Sequence, residues 1–184
     1  MILIIFIPFI TKTEEILNKN YFTLKTAELN FLSHYLKDLR ISKGLYFGVE
    51  GAFKILKRTY IAVETGFGNS KDRGIWKKEN EIIFIPLELS LKHKFKITKR
   101  IYFNIGYGIM DSLVKVKEKY SREEDQSAGF QIFLDLNYNF KRSFIGITLK
   151  FQPMFEFASK ITRQLGYDEY NNYRIGINFG YFLN

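Results

Sequence analysis

Seven stretches of this 184-residue chain alternate apolar with polar or small side chains at a period of two, a pattern that specifies β-strand. Leu45, Phe47, Val49, Phe53 and Ile55 share one face, against Tyr46, Gly48, Glu50, Ala52 and Lys54 on the other. The same division recurs around Ile61–Gly68, Ile85–Lys92, Ile101–Ile109, Gln131–Asn139, Ile145–Gln152 and Arg174–Leu183. A less regular run over Phe22–Leu32, where Lys25 and Glu28 fall on opposite faces, brings the expected strands to eight. No helix-period segment of comparable length competes with them.

The strands are spaced by a second regularity. Arg58, Arg100 and Arg142 recur every 42 residues, each preceded by Lys and followed by an alternating run, in "LKRTYIAV", "TKRIYFNI" and "FKRSFIGI". The Lys-Arg connections are tight, whereas segments 33–43, 69–80, 111–128 and 157–171 are long and polar. Short turns at one end and long loops at the other describe an antiparallel up-and-down meander of four hairpins, closed as an eight-stranded barrel. Pro86 and Pro153, which lack an N–H for the ladder, are expected at bulges or strand ends.

The chemistry of the two faces decides what surrounds the barrel. A soluble eight-stranded barrel carries its apolar side chains inside, where space is only just filled. Here the apolar face is bulky and almost free of charge, while the other combines Gly and Ala with a few ionised groups. Bulky residues from every strand would not fit inside, but the small and charged set would. The apolar face therefore points outward, and an outward apolar belt needs lipid. A transmembrane β-barrel is the expected fold class.

The composition agrees with that reading. The chain is 17% aromatic, with 19 Phe and 12 Tyr, side chains that suit a pleated surface. Without cysteine there is neither a disulfide nor a thiolate metal site. The net charge of +9 suits nucleic acid or lipid phosphates. Without a nucleic-acid motif, and with "GFGNSKDRG" lacking the strand–helix setting of a phosphate cradle, lipid phosphates are the expected partner. Residues 1–20, opening "MILIIFIPFITKTEE", are too short a run to span as a helix, which takes about 20 apolar residues. They have the apolar core of a signal but neither a basic n-region nor an A-x-A-like cleavage site. They read as an incomplete or atypical signal-like segment before a barrel domain at 21–184, with an extra strand or anchor as the alternative.

Over roughly residues 20–184 the sequence resembles the small outer-membrane β-barrels of the outer-membrane protein X and outer-membrane protein A type. The resemblance rests on the eight alternating runs, the Lys-Arg turns and the closing "YRIGINFGYFL". That last run is similar to the C-terminal strand signal read by the barrel assembly machinery, with Phe179 and Tyr181 at alternating positions, although it ends Leu183-Asn184 rather than on Phe. The resemblance implies a monomer in a Gram-negative outer membrane, among lipopolysaccharide and phospholipid, with the tight turns and both termini periplasmic and the long loops outside. Lys57, Arg58, Lys99, Arg100, Lys141 and Arg142 would then meet inner-leaflet phosphates, although basic residues also suit any solvated turn.

Glu50 and Glu64 lie almost equally far from the Lys57-Arg58 turn and should be neighbours facing the lumen. Carboxylates at that depth need cations. Lys92, Lys150 and Arg174, with Glu88 and Asp135, reach similar levels on other strands, and the seven are expected to form an internal ion-pair network. Paired carboxylates also serve general acid–base catalysis, but mixed charge in a closed lumen points to structure, with no cofactor, metal or catalytic residue. An outer-membrane lipid A palmitoyltransferase carries His, Ser and Asp on its external loops, and His34, Ser70 and Asp72 lie in the first two loops here. A lipid-modifying enzyme is thus the alternative to a non-enzymatic barrel serving envelope integrity or surface interaction. His93 falls on the lipid register near the turn end.

Overall fold

The computed structural model describes residues 19–71, 80–117, 122–156 and 170–183, and the signal-like segment up to residue 18 lies outside them. In chain order the elements are β1 (Tyr21–Phe31), α1 (His34–Asp38), β2 (Lys43–Leu56), β3 (Thr59–Lys71), β4 (Glu81–Lys96), β5 (Ile101–Lys117), β6 (Arg122–Asn139), β7 (Ser143–Gln152), β8 (Met154–Glu156) and β9 (Asn172–Phe182). Every pairing is antiparallel. Neighbours in sequence pair from β1 to β7, and β9 bonds to both β7 and β1, which closes the sheet. Closure leaves no row of unpaired strand groups exposed.

The nine strands among the described residues make eight spanning ones, because β8 continues β7. Gly129↔Met154 keeps the register of Ile132↔Phe151, and Phe130 N donates to Pro153 O at 3.0 Å between them. Pro153 marks the point where the β7–β9 ladder stops, at Gln152↔Asn172. Pro86 does not behave as expected. It sits inside β4, paired with Ser112 on β5, and its β3 side skips from Thr65↔Leu87 to Gly68↔Phe84 without a slip in register. The missing N–H is accommodated by a gap in one ladder, while the irregularity on β2 falls at Lys54/Leu56, beside the Lys57-Arg58 turn. Arg58 closes that turn with φ 70°.

The pleat sends alternate side chains in and out, and β1 alternates buried with exposed along most of its length. Outside stand Leu24, Phe47, Leu87, Ile109, Leu134, Ile147, Ile177 and their neighbours, with Leu87 and Ile147 each 60% exposed. No described helix is long and apolar enough to cross a membrane; the strands form the apolar belt. An exposed apolar surface that encircles a molecule is stable only against lipid.

Two apolar plugs close the interior. At the turn end Tyr21, Tyr60, Phe144 and Phe182 pack ring against ring with Ala52 and Ala62. At the loop end Leu29, Phe31, Ile82, Phe84, Val114 and Val116 meet Leu36 and Ile41 from the first loop. Ser33 caps α1 by accepting from Leu36 N at 3.3 Å, and Ile41 N returns to Leu36 O at 3.0 Å, which turns both side chains into the mouth. The lumen is therefore bulkier than expected, because inward glycines make room for rings. A Cβ on Gly106 would collide with the Phe133 ring, and one on Gly66 with Tyr46.

Segment 111–128, expected as a loop, is largely strand. β5 and β6 stay paired from Asp111↔Ala128 to Lys117↔Arg122. Beyond the belt the outer register faces water, so polarity inverts: Asp111, Lys115 and Lys117 turn out while Val114 and Val116 turn in.

Candidate functional site: a charged lumen

Between the two plugs lies a layer of ionised side chains. Glu50 on β2 stands directly opposite Glu64 on β3, and Glu64 opposite Glu88 on β4. Three carboxylates on one wall would repel each other without cations, and the far wall supplies them. Lys150 on β7 and Arg174 on β9 are themselves cross-strand partners. Lys150 Nζ reaches Glu64 Oε2 at 2.7 Å and also bonds Glu88, while Arg174 reaches Glu64 Oε1 at 3.3 Å and also bonds Glu88. Lys25 on β1 bridges Glu50 at 2.6 Å and Glu64 at 2.5 Å. Lys92 bridges Glu50 at 2.5 Å and Asp135 at 3.4 Å. Four carboxylates meet four cations.

Neutral donors occupy the remaining carboxylate lone pairs. Tyr46 Oη donates to Glu64 at 3.1 Å, Gln152 Nε2 to Glu88 at 2.9 Å, Thr148 Oγ1 to Asp135 at 2.6 Å, and Asn104 Nδ2 to Asp135 at 3.4 Å. The Arg174 guanidinium lies over the Tyr46 ring at 4.0 Å. Lys92, Lys150 and Lys25 surround the Phe133 ring at 4.9, 5.3 and 5.9 Å. Such a layer holds charge in place; it offers no carboxylate free to take a proton from a substrate.

All seven lumen residues named from the sequence are buried in this layer: Glu50, Glu64, Glu88, Lys92, Asp135, Lys150 and Arg174. Lys25, Tyr46 and Phe133 join them in the layer without having been expected there. Lys25 has the parity of Thr23 and Ala27, inward against Phe22 and Leu24, which was the available signal. Nothing in the sequence marked Phe133 as the ring at the centre.

The chain is similar in structure to Neisserial surface protein A, with TM-score 0.66, 11% identity, 89% of this chain and 97% of that chain covered. Ail, the attachment invasion locus protein of Yersinia pestis, follows at TM-score 0.60 and 8% identity, covering 90% and 99%. The N-terminal β-barrel domain of Pseudomonas aeruginosa OprF gives TM-score 0.58 and 11% identity, covering 90% and 98%. The fold is that of the small outer-membrane β-barrels. No protein-family model and no curated protein sequence matches the chain.

On this barrel all three Lys-Arg turns lie at one end. Lys57, Lys99, Arg100, Lys141 and Arg142 are exposed and Arg58 half-buried, and Arg100 Nη1 donates to Tyr138 Oη at 2.9 Å. At the opposite end, beyond the belt, Glu81 pairs with Lys71 at 3.0 Å. Partial burial would raise its pKa, but hydrogen bonds from Asn69 and Lys71 prevail and hold it below the ordinary carboxylate value.

The possible loop triad is not assembled among the described residues. His34 is exposed at the start of α1, Ser70 is buried with its hydroxyl donating to the Lys43 carbonyl, and Asp72 lies outside the described residues. No hydrogen bond joins His34 to Ser70. His93 is half-buried on the outer register, its Nδ1 3.3 Å from Thr59 Oγ1. No group of three or more metal-ligating side chains occurs among the described residues.

Proposed function

We propose that the protein is a non-enzymatic integral barrel of a bacterial outer membrane, acting in envelope integrity or surface interaction through its loop end. In this reading the charged layer is a plug, so the barrel does not conduct. One observation carries the reading: a belt that only lipid can cover surrounds a lumen in which every buried carboxylate among the described residues is already held by cations. The Lys-Arg turns would face the periplasm and meet inner-leaflet phosphates; the barrel assembly machinery would insert the chain as a monomer.

Cell fractionation with heat-modifiable gel mobility tests the location, and planar-bilayer recording tests the plug. The expected result is an outer-membrane fraction, a folded band that shifts on boiling, and no stepwise conductance. Stable conductance steps from the purified wild type would defeat the closed-lumen reading. Incubation with lipopolysaccharide or phospholipid is expected to give neither acyl transfer nor hydrolysis. Turnover that disappears in His34→Ala would instead establish a lipid-modifying enzyme.

A further inference from the structure

The barrel interior buries five cations but only four carboxylates among the described residues, and Lys94 is the cation left over. It lies on β4, one inward step from Lys92 toward the turn end, and is 4% exposed. Its Nζ faces four rings: Tyr102 at 4.7 Å, Phe182 at 4.9 Å, Tyr21 at 5.6 Å and Tyr60 at 5.9 Å. No ion pair or hydrogen bond from a described residue reaches that Nζ. The carboxylates on the side of the charged layer that Lys92 occupies, Glu50 and Asp135, are already held by Lys92 itself. Ring faces offset only part of the desolvation of a buried ammonium, so a charge here calls for a counter-ion.

Three more buried donors lie at this end, Arg58 Nε among them. Tyr102 Oη and Asn139 Nδ2 have no hydrogen-bond partner among the described residues, and both belong to the inner face where β5 and β6 approach their turns. The mouth outside carries Lys57, Arg58, Lys99, Arg100, Lys141 and Arg142, a potential that concentrates anions. We propose that the turn end of the lumen is an anion site, in which Lys94 Nζ, with Tyr102 Oη and Asn139 Nδ2, holds a small inorganic anion. The packed rings of Tyr21, Tyr60, Phe144 and Phe182 narrow the approach, which selects a free ion over a lipid headgroup carrying acyl chains.

The test uses the whole chain refolded in zwitterionic detergent and unfolded with urea at constant ionic strength, chloride or phosphate replacing gluconate. In the wild type the midpoint should rise with chloride or phosphate in the logarithmic manner of single-site binding. Lys94→Met should abolish that rise, Lys94→Arg should keep it, and Tyr102→Phe should move its onset to higher concentration. No rise in the wild type, or a rise of equal size in Lys94→Met, overturns the site. Chloride-35 line broadening by the folded wild type, reversed by phosphate, is expected as a readout that needs no variant to fold; its absence is equally decisive against the proposal. In vesicles at fixed chloride, exchanging phosphatidylcholine for phosphatidylglycerol should leave the midpoint unchanged. A lipid-dependent rise that Lys94→Met removes would assign the site to a headgroup and overturn the small-ion assignment.

Discussion

Lys92 shows how strongly single side chains in the lumen depend on one another. Its amine is shared by Glu50 and Asp135, so Lys92→Ala leaves two buried carboxylates short of charge. The expected loss is about 3–5 kcal/mol, the range for breaking a buried pair, read from urea unfolding in detergent. Adding Glu50→Gln should recover part of it, and strict additivity of the two changes would count against a shared network. Gly106 depends on a neighbour in another way, since its missing Cβ is where the Phe133 ring lies. Gly106→Ala should cost about 1–3 kcal/mol by overpacking, and Phe133→Leu should relieve much of that in the double variant. The parity of Glu50, Glu64 and Lys92 was legible in the sequence because each sits in a clean alternating run. Lys25 was harder to place, since Glu28 opposes it within a run whose outward face carries a charge of its own. Its bridging of two carboxylates on β2 and β3 depends on the register of three neighbouring strands, which no local pattern records.

Among the elements, the outward register has a depth profile that substitutions should reproduce. Leu134 lies within the belt, and changing it to Arg should cost about 2–4 kcal/mol in lipid, whereas Leu87, paired with Asp111 near the belt's edge, should cost less. Leu113, one outward step from Asp111 and Lys115 near the upper boundary, should tolerate Arg at about 0–1 kcal/mol. Equal losses at all three positions would mean that the belt boundary is misplaced. The same boundary explains why strand positions were legible where lipid faces them, and why 111–128 was mistaken for a loop. An apolar side chain points outward only while the outside is hydrocarbon. Val114 and Val116 obey the opposite rule because water surrounds that part of the hairpin. Pro86 misled for a related reason: a lost ladder bond can be left as a gap, without bending the strand.

Across the whole molecule, the charged layer joins parts of the chain that are far apart in sequence. Glu64 and Arg174 are separated by 110 residues, and Glu88 and Arg174 by 86. These bonds need β9 against β1, a pairing far more distant in sequence than any hairpin, and are expected to form last. Interactions that arise last are absent from the transition state, so they govern how slowly a structure comes apart and leave its formation rate almost untouched. Arg174→Gln should therefore speed unfolding while refolding into vesicles, followed by the gel shift over time, keeps its wild-type rate. An equal slowing of refolding would place closure early. Once shut, the barrel is held as by a clasp: the lumen charges act chiefly on its lifetime in the membrane.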